Sequence, residues 1–195
     1  EKLAKLLPGS RSAWTMYSRF LFDRGWTKKA QQAYDRAFDL GEKNIDFLGD
    51  YSYLSYTNSR WDGVERASRE ILRREKWDEK TLPLALNAWG ALAAFTDYDD
   101  ARRQELLDGL VAFIKKNRRL MDDFGDIANI LYGFLKHDDE CGCFTLAHYQ
   151  QIEKALKELT AISPEWEKEL PDNPDVQRLT GGKQILKVIF VPGQR

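Results

Sequence analysis

Apolar side chains recur at helical spacing along most of the chain. Trp14, Tyr17 and Leu21 share one helical face with the small Ser18, and Ala30, Tyr34 and Ala37 share the next. Leu48, Tyr51, Ser52 and Ser55 repeat the first stripe. Val64, Ala67, Ser68, Ile71 and Leu72 repeat the second, with Trp61 ahead of them as an expected anchor across the turn. Leu82, Ala85, Leu86 and Trp89 begin a third pair in a helix over Leu82–Phe95, for which Thr81 is the expected cap and Pro83 is tolerated in the first turn. Asp99 or Asp100 should cap a longer helix through Ile114, with Leu106, Leu107, Leu110, Val111 and Ile114 as its apolar stripe. Phe124, Ile127, Ala128 and Leu131 and then Ile152, Leu156 and Leu159 make a fourth pair, separated by an expected loop from His137 to Phe144.

The stripes end near Ile162. Ser163 and Pro164 open a short closing helix that Pro171, Asn173 and Pro174 terminate. Beyond Gly181 and Gly182, Lys183–Val191 is rich in β-branched residues and is expected to be a single strand. Leu186, Val188 and Phe190 on one side and Ile185, Ile189 and Val191 on the other make it apolar on both faces. Its amides need a partner, which could be a second copy, a region outside this sequence, or the helices themselves if it lies as an extended tail.

The stretch Trp14 to Ala37 spells W-x2-Y-S-x2-L, then Gly25, then A-x3-Y-x2-A. It resembles a tetratricopeptide repeat, a helix-turn-helix unit of about 34 residues. Steps of about 34 residues carry the markers to Leu48 and Leu82. The second helix of the third pair then slips by about nine residues, leaving a generic helical-repeat pattern up to Ile162. The resemblance implies an all-α fold, an α-solenoid of about four TPR-like helical hairpins wound as a right-handed superhelix over residues 9–162. Residues 1–8, closed by Pro8, are expected to be the end of a preceding repeat, and 163–195 a capping helix and extended tail. A fragment of a longer protein is the expectation.

Composition narrows the partners. Thirty basic against thirty-one acidic residues leave a net charge of −1, so no global field favours nucleic acid or an anionic membrane. The most apolar run, Leu82 to Phe95, is too short to span a bilayer. Basic clusters at Arg73 and Arg74, Arg102 and Arg103, and Lys115 to Arg119 are expected to serve helix ends or stay solvated. Arg66, Arg69 and Arg73 alternate with Glu65, Glu70 and Glu75, which points to an ion-paired surface.

Candidate chemistry is sparse. His137, Cys141, Cys143 and His148 combine imidazole and thiolate, which together suit zinc, but the C-x-C spacing is tighter than the usual gap, and two ordinary thiols in a polar loop are the favoured alternative. A disulfide between the two would close a strained, easily reduced ring. Asp123, Phe124 and Gly125 match a kinase triplet without its companions, and Gly181, Gly182 and Lys183 lack the rest of a phosphate loop. No catalytic residue is assigned, and no cofactor is expected.

In the family resembled, first helices line a concave groove. Equivalent places run from Arg19 to Tyr53, Asn87 and Asn129, with Thr15, Phe22, Asp23, Tyr56 and Tyr132 beside them. Asn donates and accepts at once and so suits an extended peptide backbone, while Tyr offers broad contact area at low entropic cost. The resemblance therefore implies non-catalytic recognition of a protein or peptide segment in that groove. The alternative is an accessory domain of an enzyme, such as a membrane-bound transferase modifying a glycan or protein, whose groove aromatics would stack on sugars. Neither nucleic-acid binding nor membrane insertion is expected of the fragment, and no compartment is assigned.

Overall fold

The computed structural model describes residues 6–95, 99–121, 125–141 and 146–163, and from Arg11 onward the regular elements among those residues are eight α-helices and one 3-10 turn. The expected strand Lys183–Val191 and the closing helix after Ser163 lie outside the described residues, as do residues 1–5 of the anticipated preceding repeat. The chain divides into two compact units, Glu1–Lys76 and Trp77–Arg195.

The first unit contains α1 (Arg11–Asp23), α2 (Thr27–Asp39), α3 (Ile45–Thr57) and α4 (Trp61–Leu72). Ser10 caps α1 by accepting from the Ala13 amide, and Asn44 caps α3 by accepting from Asp46. Helices α1, α2 and α3 close in the same manner. Past each last turn one residue takes positive φ, Gly25 at 70°, Gly41 at 90° and Ser59 at 56°. The next amide returns to a carbonyl five residues back, Trp26 to Leu21, Glu42 to Ala37 and Arg60 to Ser55.

Within this unit α1 packs on α2 and α3 on α4, with α2 also meeting α3. Leu21, Ala30, Tyr34, Ala37, Phe47, Leu48, Tyr51, Leu54, Val64, Ala67 and Ile71 are buried. Small Ser18 and Ala30 are fully buried, as close backbone approach requires. Polar links cross the helices: the Tyr51 hydroxyl donates to Asp35 at 2.7 Å, and the buried Gln31 amide donates to Ser55 at 3.1 Å. One expectation is corrected. Trp14 is half-buried rather than core, because its indole N–H reaches back to the Pro8 carbonyl at 3.0 Å and its ring meets Tyr17 edge-on. Trp61 is 42% exposed, and its ring meets that of Tyr56 across the turn between α3 and α4, with centroids 6.1 Å apart and planes tilted by 60°.

The second unit contains α5 (Leu82–Phe95), α6 (Asp100–Asn117), the 3-10 turn Arg118–Leu120, α7 (Gly125–Cys141) and α8 (Leu146–Ile162). Asp78, not Thr81, organises the start of α5: its carboxylate accepts from the Lys80 and Thr81 amides and from the Thr81 hydroxyl. Asp99 caps α6 as expected, accepting from Arg102 at 2.8 Å. Helix α7 runs on through His137 to Cys141, where a loop was expected, since no Gly or Pro interrupts the sequence between Gly133 and Gly142.

Packing in this unit departs from consecutive hairpins. The closest backbone pairs are α5 with α7 and α6 with α8, whereas α5 and α6 approach at few points. Side-chain size is the cause. A Cβ at Gly133 would stand 3.4 Å from that of Ala93, so small residues draw α5 and α7 together, while the Trp89 ring, packed on Gly109 and Phe113, spaces α5 from α6. Two arginines expected to serve helix ends or stay solvated are also held. Arg103 is 1% exposed, falling on the same α6 stripe as Leu106, Leu107 and Leu110. Arg118 donates to the Ser163 hydroxyl at 2.6 Å and to the Met121 carbonyl.

Candidate functional site

The expected groove residues fall in both units. In the first, Arg19 and Phe22 on α1 meet Asp50 and Tyr53 on α3. The Arg19 guanidinium lies 3.9 Å from the Asp50 carboxylate, and the Phe22 ring stands edge-on to Tyr34 and to Tyr53, with centroids 6.3 Å away in each case. Tyr53 is 61% exposed beside them, and Asp23 is exposed at the end of α1. Asp50 was not anticipated. Burial pushes its carboxyl above the usual range, opposed by Arg19 and by the Tyr34 hydroxyl donating at 3.4 Å. Burial and the Asp50 charge in turn raise the Tyr34 phenol.

Thr15 and Tyr56 are engaged elsewhere. The Thr15 hydroxyl lies 3.0 Å from both the Arg11 carbonyl and the Glu42 carboxylate, so its proton is taken up inside the unit. Burial alone would raise the Glu42 carboxyl, but the Asn44 amide, Thr15 and Arg11 outweigh it and hold the group below its ordinary range. Tyr56 packs on Trp61 at the turn into α4.

In the second unit Asn87, Asn129 and Tyr132 line one cleft of about 540 Å³ between α5 and α7, within the range of ligand sites. Gly90, Ala91, Ala94 and Gly133 keep it open, since none carries a side chain larger than methyl. A second hollow of about 320 Å³ shares Pro83, Leu86 and Asp126 with the first and continues to Glu79, Leu120 and Met121. Asn87, Asn129, Asp126 and Glu79 have no hydrogen-bond or ion-pair partner among the described residues. Asp126 and the small floor escaped the sequence reading. The available signal was the three-residue step from Asp126 to Asn129 and from Asn87 to Gly90, which puts each pair on one helix face.

Of the metal candidates, His148 is buried on α8, Cys143 lies outside the described residues, and the side chains of His137 and Cys141 are likewise outside them. Among the described residues no group of three His, Cys, Asp or Glu is placed to hold a metal ion. No helix of the described residues is long and apolar enough to cross a membrane. The cation-rich face of α4 is ion-paired: Arg69 with Glu65 at 2.7 Å, Arg73 with Glu70 at 2.8 Å, and Arg66 with Asp39. No protein-family model matches the chain, and no curated protein matches it either.

Proposed function

We propose that the chain is a helical-repeat recognition domain, similar to tetratricopeptide repeats, that holds an extended protein or peptide segment in a preformed groove without catalysing a reaction on it. One observation carries this reading: Asn87 from α5 and Asn129 from α7 enter the same small-floored cleft with Tyr132 beside them, and neither amide is used within the described fold. An Asn amide offers one acceptor oxygen and two N–H donors, so a pair on opposite walls can bracket a peptide unit from both sides. Preorganisation lowers the ordering cost of binding, because both residues stand on packed helices rather than loops. The exposed Tyr53 beside Phe22 and Arg19 gives the first unit a second surface of similar chemistry. In this proposal the helices continue the repeat pattern as a solenoid, with first helices carrying the contacts.

Fluorescence anisotropy with a library of short labelled peptides tests the reading. Loss of one neutral hydrogen-bonding side chain should weaken binding by roughly five- to tenfold, so Asn87→Ala and Asn129→Ala should each do so while leaving the helical circular dichroism unchanged. Binding indifferent to both substitutions would place the ligand elsewhere.

A further inference from the structure

We propose that the segment held between α5 and α7 carries a Lys or Arg side chain seated on Asp126, with an apolar side chain two residues to either side of it. The inference rests on the groove being a peptide site and specifies what that peptide must contain. Asp126 stands where the two hollows meet, since it lines both together with Pro83 and Leu86. The charged groups lining the combined groove are Asp126 and Glu79, and neither hollow is lined by Lys or Arg. The sign is local, because the chain as a whole carries 30 basic against 31 acidic residues.

Several surface carboxylates elsewhere among the described residues are answered within the molecule. Asp39 pairs with Arg66, Asp62 with Arg60, Glu65 with Arg69 and Glu70 with Lys43. Asp126 and Glu79 have no such partner among the described residues, so a cation from outside meets no internal competitor. An acidic ligand would meet uncompensated repulsion.

The flanking chemistry sets the rest of the motif. Side chains of an extended segment alternate, so the residues facing the groove are two apart, with about 6.8 Å between them. With the basic residue on Asp126, the neighbour on one side enters the hollow floored by Gly90, Ala94 and Gly133. The neighbour on the other side meets Leu120 and Met121. The first hollow joins its small apolar floor to Ile130 and leaves the Asn87 and Asn129 amides for the peptide backbone, and the second offers Leu120 and Met121 to an apolar side chain. The expected ligand thus reads apolar, any, basic, any, apolar.

The test uses acetylated and amidated short peptides, labelled with fluorescein, whose central residue is Lys, Arg, Gln or Glu and whose flanking positions are Leu or Ser. Their binding to the full chain, to Asp126→Asn and to Asp126→Lys is measured by anisotropy. Attraction and repulsion at a solvent-accessible pair each contribute a few-fold, so Lys- or Arg-centred peptides should bind about tenfold tighter than Glu-centred ones. Asp126→Asn should shrink that preference to within about twofold, Asp126→Lys should invert it, and Leu flanks should outperform Ser flanks. Equal affinity for all centres, with Asn129→Ala still weakening every peptide, would overturn the basic-residue inference and leave the groove standing. A preference for basic centres that persists in Asp126→Lys would overturn it too. No binding by any peptide, or self-association of the chain that Asp126→Lys abolishes, would remove both the inference and the peptide reading.

Discussion

The Trp89 ring rests on Gly109, where a Cβ atom would stand 2.9 Å from Cη2. Trp89 is 8% exposed and also meets Phe113, with centroids 6.1 Å apart, so the ring has little room to retreat. Replacing a helical glycine by alanine ordinarily gains up to about 1 kcal/mol. At this contact overpacking wins, and Gly109→Ala should lose about 1–2 kcal/mol in urea unfolding. At Gly90 the added Cβ would meet Ile130 at an ordinary 3.8 Å, so Gly90→Ala should be at least as stable as the parent. Equal gains at both positions would contradict the packing described for Trp89.

Ser59 occupies the left-handed conformation, φ 56°, that Gly25 and Gly41 occupy at the two earlier helix ends. An L side chain there costs about 1–2 kcal/mol. Ser59→Gly should therefore raise stability by about 1 kcal/mol, less the extra chain entropy of glycine, in a thermal or urea titration. A loss of stability would show that the Ser59 side chain offsets the strain.

Glu42 supplies a pH dependence of definite sign. Its carboxyl is held below its ordinary value in the folded chain, so the unfolded chain takes up the proton first as pH falls. The stabilisation is fully present above the unfolded value of about 4.3 and is lost as pH drops through the lower folded value. Asp62, lowered chiefly by its hydrogen bonds from Arg60, acts in the same sense, and Asp50, raised by burial, in the opposite one. Glu42→Gln should make unfolding less acid-sensitive below about pH 4.3, read as the midpoint of urea unfolding against pH. An unchanged pH profile would contradict the role of the Thr15, Asn44 and Arg11 contacts.

Helix placement was largely legible because burial imposes a period. The stripe through Leu106, Leu107, Leu110 and Ile114 and the helix Leu82–Phe95 both appear where the spacing put them. Depth within the core was not. Trp14 has the size of a core residue, yet its N–H needs an acceptor and finds one at Pro8, leaving the ring half-buried. Its replacement by Ala should cost clearly less than Phe47→Ala, for which about 3–5 kcal/mol is expected at 0% exposure.

Partner choice between helices was equally hidden. It turns on whether a glycine or a tryptophan faces the neighbour, and a single stripe looks alike in both cases. Of the expected groove residues, Asn87, Asn129 and Tyr132, placed by repeat stepping, share a cleft. Asp126 was missed because an acidic residue in a first helical turn already has a local explanation in the helix dipole.

The central claim is that the α5–α7 cleft receives an extended peptide. The most direct test is the response of the Asn87 and Asn129 side-chain amide signals in a nitrogen–proton correlation spectrum as the Lys-centred, Leu-flanked peptide pool is titrated in. Both pairs of signals should shift and saturate together, with backbone changes concentrated at Pro83–Ala94 and Asp126–Gly133. Saturable binding that leaves both Asn side chains unmoved, or no binding at all, would contradict the account.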